Sequence, residues 1–278
     1  ISRYFTNTRG KALSTGWFGL STAEFLMPVT IIYALTIMDW RNIWIIISVA
    51  VILFLPLISY FLVKEVKLSS REDDNEVIKE NIKQWKRSEV IKDYRFIIIA
   101  LNMLAMPWIA TGIFVYQSFI LSAKNWGEYT IAQSFMVYSI ASVLTLFVAG
   151  YLIDKFTSRK LLIYMNIPFL LSLLILIYFQ SPVSSFFFLG LIGVSNGFAN
   201  VLGSSTWAEL YGVKFIGSIK ALTTALMVFS TAFGTAFFGL MIDFDFSIEQ
   251  ISMISGGYIL ISLILLFSIK NKLNPTIL

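Results

Sequence analysis

Polar and apolar residues are laid out along this chain in long blocks, not residue by residue. Apolar runs occupy residues 13–37, 42–63, 96–121, 129–151, 161–179, 184–206, 217–242 and 250–269. Runs of about twenty residues, rising ~1.5 Å per residue as a helix, cover the ~30 Å of a bilayer's hydrocarbon. An open strand in lipid cannot satisfy its own N–H and C=O groups, so each run predicts a transmembrane helix. The expected fold is an all-α, polytopic membrane helical bundle with eight spans.

Composition agrees with that pattern. Hydrophobic residues make up 57% of the 278 and charged residues 13%, and the mean hydropathy is +0.79, well away from soluble domains with about a quarter charged residues. The net charge of +5 does not point to nucleic acid, because the basic residues are confined to particular loops. Nineteen of the 21 Lys and Arg fall in residues 1–11, 64–95, 154–160, 214–220 and 270–272. The opposite loops hold Arg41 and Lys124 together with Asp39, Glu128, Asp243, Asp245 and Glu249. By the positive-inside rule, both ends and the 64–95 loop are expected on the cytoplasmic side of a cell inner (plasma) membrane.

Chemistry is narrowed by what is absent. The chain has no Cys and no His, which removes disulfides, thiolate metal sites and the commonest metal ligand and proton shuttle. No G-x-x-x-x-G-K-[ST] occurs, and the interior holds one acid without a partnering base or nucleophile, so neither an ATPase nor a membrane-embedded enzyme is expected. No metal and no cofactor is expected either.

The 64–95 loop is the one substantial polar segment. Val77, Ile78, Ile82, Trp85 and Ile91 recur near helical spacing among lysines, which predicts an amphipathic helix on the membrane surface, tethering two bundles. The domains expected are residues 1–63, a linker over 64–95, and a six-helix bundle over 96–278. Two spans, a long basic loop and six spans make the pattern of a carrier lacking its first four helices, and the opening at Ile1 rather than Met fits that expectation.

Several motifs carry a resemblance. GYLIDKFTSRK (150–160) is similar to the G-x-L-a-D-r-x-G-r-r-k signature of the major facilitator superfamily, with Gly150, Asp154, Arg159 and Lys160 matching. Thr157 and Ser158 stand where that family usually has a second glycine. SRYFTNTRGKALS (2–14) resembles the basic linker before its fifth helix, and DWR (39–41) the outer turn before its sixth. WAELYGVKFIGSIKAL (207–222), which includes Glu209, resembles the turn between the tenth and eleventh helices in the branch holding monocarboxylate and oxalate/formate carriers and uncharacterised bacterial relatives. The resemblance implies helices 5–12 of a twelve-helix secondary transporter working by alternating access. Gly150, Asp154, Arg159, Lys160 and Glu209 are then its conformational gating residues. Asp154 is expected to pair with a basic residue or to face the N-terminus of the span from Gly217. Carboxylate carriers of that branch hold a cation in the eighth or eleventh helix. Here 129–151 has no interior charge and Lys220 lies near the end of its span, which argues against a carboxylate solute unless its partner lies in absent helices.

The interior polar residues are few. Glu24 is the one formally charged residue well inside a span, where a charge costs roughly +2.5 to +3.5 kcal/mol. It reads either as a packing residue, protonated or bonded to a helix outside this chain, or as a carboxylate coupling proton movement to transport. Asn196, Asn200 and Ser204 repeat at i, i+4 and i+8 beside the small pair Gly193 and Gly197; they line a cavity or bond across a helix interface. On 96–121, Asn102, Trp108, Tyr116 and Gln117 are candidates for the solute pathway, with Pro107 permitting a bend. The expected partners are a small-molecule solute, protons, the lipid bilayer and the absent helices. A non-transporting scaffold or sensor with the same fold is the rival reading.

Overall fold

The computed structural model describes residues 9–63 and 82–277. Its helices are α1 (Arg9–Leu35), α2 (Trp40–Val63), α3 (Arg87–Val90), α4 (Tyr94–Ala105), α5 (Thr111–Val115), α6 (Gln117–Lys124), α7 (Glu128–Phe156), α8 (Ser158–Leu161), α9 (Ile167–Tyr178), α10 (Ser184–Tyr211), α11 (Ile216–Asp243) and α12 (Ile248–Ser268). Among the described residues, 7 spans are long and apolar enough to cross a membrane. They coincide with all the expected runs except 13–37, which falls on α1, a helix of 27 residues with several side chains outside the described set. The chain divides into two compact units, residues 1–19 with 81–278, and residues 20–80. In the smaller unit, α2 carries Pro56 and exposes Ile52, Phe54 and Phe61.

In the larger unit, α7 and α10 lie against each other over most of their length, α9 packs on α10 and α12, and α11 packs on α5 and the turn before it. Sequence explains the closest of these contacts. A methyl group added at Gly193 would overlap the Tyr138 carbonyl, and one at Gly197 the Ser142 carbonyl. Only glycine lets the α7 and α10 backbones meet there. Apolar side chains fill the remaining space in two clusters, one around Phe96, Leu162, Trp207 and Tyr211, the other around Ile109, Phe169, Phe188 and Phe238.

Between α4 and α5 the helix widens into a π-turn over Met106–Ala110. Pro107 causes it, since it has no N–H to give to a preceding carbonyl and its ring crowds the turn before it. Side chains from other helices take up the carbonyls on the approach to the break. Tyr258 Oη donates to Leu101 O at 2.7 Å, Asn166 Nδ2 to Asn102 O at 2.6 Å, and Ser230 Oγ to Leu104 O at 3.2 Å.

The linker departs from expectation. Residues 64–81 lie outside the described residues, so Val77 and Ile78 of the expected amphipathic helix do too. From Ile82 to Lys86 the chain is extended, not helical. The physical reason is a set of better partners. Lys83 N donates to Thr276 O at 2.8 Å and Trp85 N to Tyr211 O at 3.1 Å, while the Trp85 ring sits edge-on to Tyr211 at 5.5 Å. Ile82 bridges to Ile277. Arg95 pairs with buried Asp93 at 2.8 Å and donates to Asn274 O at 2.8 Å. The result is a strap in which residues 82–86 and 273–277 are tied across one end of the bundle.

At the other end, Lys124 pairs with Glu249 at 2.6 Å, its side chain 0% exposed. A fully buried ammonium needs such a partner, because losing it leaves an uncompensated charge.

The α7–α10 contact yields a test. Gly197→Val should lower the thermal midpoint of the purified protein, since overpacking a close contact costs typically about 1–3 kcal/mol. Gly203→Ala, at a helix position where nothing lies within 4 Å, should not lower the midpoint and should raise it slightly.

Candidate functional site

The larger unit encloses a cavity of about 360 Å³. Its walls come from α4, the π-turn, α5, α7, α10 and α11, with Trp17 of α1 contributing one side. Along the broken helix the lining runs from Ala100 to Phe114, about 20 Å of axis at 1.5 Å per residue, so the cavity is elongated.

One wall is polar because of residue spacing on α10. Asn196, Asn200 and Ser204 sit on successive turns and all three line the cavity. Asn196 also donates through Nδ2 to Ser142 Oγ of α7 at 3.1 Å, so cavity lining and interface bonding occur in the same residue. The Asn200 amide has no hydrogen-bond partner among the described residues and is open to the cavity. Ser204 is buried and accepts from Lys220 Nζ at 2.5 Å.

Lys220 is the residue that sequence reasoning passed over. Its position near the end of a span was read as arguing against a carboxylate solute, yet its side chain faces inward. It is the one formally charged residue lining the cavity among the described residues. The signal was present in the spacing: Lys220, Thr223, Thr224 and Met227 fall at i, i+3, i+4 and i+7 of α11, and all four line the cavity. An ammonium has three donors. One goes to Ser204, and no ion pair engages Lys220 among the described residues.

The other candidates lie elsewhere. Asn102 is fully buried and donates to Ser262 Oγ at 3.2 Å. It supports the packing of α4 against α12 and does not reach the cavity. Trp108 stands edge-on to Phe233, Phe237 and Tyr258, with ring centroids 5.6, 5.3 and 5.2 Å away. Tyr116 packs its hydroxyl against Gly239, and Gln117 borders a separate void too small for a solute. Glu24 belongs to α1 by its backbone, and its side chain is outside the described residues.

The residues expected to gate lie at or near the strapped end. Asp154 Oδ2 accepts from the Lys11 backbone N–H at 3.1 Å, in the first turn of α1. Of the two expected contacts, a basic residue or the N-terminus of the span from Gly217, this one is of the second kind but is made to α1. The reason is the same attraction of a carboxylate to unsatisfied N–H groups at a helix start, met by a different helix. Both oxygens of Glu209 accept from Ser158 N, at 2.9 and 3.1 Å, and Arg159 Nε lies 3.6 Å from Glu209. Arg159 Nη1 also donates to Leu273 O at 2.8 Å and Asn274 Oδ1 at 2.9 Å. Gly150 is buried, and Lys160 is exposed to solvent or headgroups.

Thr157 explains the glycine of the signature. Its backbone has φ 74° and ψ 148°, a region essentially reserved for glycine and costing of order 1–3 kcal/mol for other residues. Its hydroxyl is buried without a partner. Thr157→Gly should therefore raise the thermal midpoint by the equivalent of about 1 kcal/mol or more, and Thr157→Ser, which keeps both the strain and the unpaired hydroxyl, should not.

A cavity with a polar wall and one cation, in a bundle with membrane-length helices, suits passage of a solute better than chemistry on one. No curated protein matches the chain. The model of the Major Facilitator Superfamily matches residues 1–235, which is most of its length. This multi-pass membrane protein belongs to the Major Facilitator Superfamily, whose members are membrane transporters.

Proposed function

We propose that the protein is a secondary active transporter that carries a small organic solute by alternating access, with the cavity between α4, α10 and α11 as this unit's share of the solute site. The observation that carries this reading is the convergence of Asn196, Asn200, Ser204 and Lys220 on one cavity of about 360 Å³. That volume lies within the ~300–1,000 Å³ range of small-molecule sites, where a few placed polar groups in an apolar wall fix the orientation of the ligand.

Alternating access requires contacts that hold one state and release in another. The Asp154 contact with the Lys11 N–H and the Glu209 contacts with Ser158 suit that role, because they are polar contacts made at helix ends. The distribution of Lys and Arg supports placing the strapped end, with the 64–95 loop, on the cytoplasmic side of the plasma (inner) membrane. Proton coupling is assigned to Glu24, since a carboxylate within a membrane helix changes its proton affinity with its surroundings.

Uptake of radiolabelled organic solutes into proteoliposomes holding the full-length protein tests the reading. Saturable uptake is expected, falling at least tenfold in Asn200→Ala. Folded protein that moves no solute would make it a scaffold or sensor instead. Glu24→Gln should abolish accumulation driven by a proton gradient while leaving solute exchange intact; unchanged accumulation in this variant would remove Glu24 from the coupling mechanism.

A further inference from the structure

The makeup of the cavity wall says more about the solute than its volume does. One positive charge, Lys220, stands near one end of the lining, at the start of α11. It is flanked by Ser204, which fixes it, and by the open amide of Asn200 one turn farther along α10. The rest of the wall is mostly apolar and conformable, with Asn196, Thr111, Thr223 and Thr224 as its other polar groups. Four methionines, Met103, Met106, Met165 and Met227, face the cavity together with aromatic rings that include Trp17 and Phe114.

These features select against most small metabolites. A cation would meet Lys220 with no acid among the described lining residues to offset it. A compact dianion would satisfy one charge at Lys220 and leave the second among thioethers and rings, where an unpaired buried charge is strongly disfavoured. A small hydrophilic monoanion would leave most of the lining with nothing to cover it. A flat apolar body suits the methionines, whose flexible, polarizable sulfurs make favourable contacts with ring edges and adapt to different outlines.

We propose that this site takes amphipathic aromatic monoanions, with the anionic group on Lys220 and Asn200 and the ring system against the methionine-lined wall toward Phe114. This rests on the transport reading above and narrows it to a substrate class. The elongated lining sets the order of recognition, head group at the strapped end and apolar body deeper in the bundle. It also makes the site tolerant of ring shape and intolerant of charge.

Competition binding with radiolabelled 2-naphthoate on the purified full-length protein in detergent tests the assignment. Saturable binding is expected, displaced by unlabelled 2-naphthoate at concentrations at least tenfold lower than those of oxalate, lactate or the neutral 2-naphthamide. Lys220→Met should weaken 2-naphthoate at least tenfold and leave 2-naphthamide within about twofold, a contrast that a misfolded variant would not show. Equal competition by oxalate or lactate, or by the amide, would overturn the assignment, and the wild-type series alone decides this. Counterflow in proteoliposomes separates the two readings. If lactate or oxalate is exchanged and 2-naphthoate is not, the class is wrong and the carrier stands. Binding of 2-naphthoate with the expected selectivity but no exchange of any solute keeps the class and overturns transport.

Discussion

A backbone surrounded by lipid has to find its hydrogen-bond partners within the protein, and the break at Pro107 is where that demand organises this bundle. Three carbonyls before the break accept from Tyr258 of α12, Asn166 just ahead of α9, and Ser230 of α11. These three bonds tie α11, α12 and the start of α9 to α4 next to the break. The same turn shapes the cavity, since Met106, Pro107, Ala110 and Thr111 all line it. The widened turn lines the cavity, and the side-chain bonds to the neighbouring carbonyls hold the surrounding helices to it. Close glycine contacts then finish the packing, with Gly234 of α11 set directly against the Trp108 carbonyl of the π-turn.

The cavity and the strapped end share α10 and α11, so they are physically connected. Ser204 faces the cavity, and Glu209, little more than a turn later on the same helix, holds the start of α8. Between them Trp207 lines the cavity and stacks toward Tyr211, which bonds Asp93. One continuous helix thus joins the cavity wall to the residues that fasten the loop over 157–160. No flexible segment intervenes.

Much of this was readable from residue order. The length of each apolar run and the grouping of Lys and Arg fall directly out of bilayer thickness and the cost of charge in lipid. The stripe of Asn196, Asn200 and Ser204 was readable because helical spacing alone puts the three on one face. What was not readable depends on which of several equivalent partners lies nearest in three dimensions. Asp154 was readable as seeking a basic residue or a helix start, but α1 and α11 both offer a start. Trp85 carries a helical pattern, yet the Tyr211 carbonyl and ring compete for it and draw residues 82–86 into an extended strand. Lys220 was misplaced by weighing depth in the membrane above direction. Trp108 looked like a pathway residue by depth, and three aromatic neighbours from α11 and α12, far away in sequence, enclose it instead.

The strap also sets an order of assembly. Arg95 and Arg159 donate to residues 273 and 274, which leave the ribosome only after every helix of the unit has been made. Until then both guanidinium groups lack those acceptors and must be served by water or by lipid headgroups. The end of the bundle that holds Asp154, Glu209 and the 82–86 segment is consequently the last part to reach its final form during biosynthesis. A chain made only as far as residue 272 would leave that face unfastened.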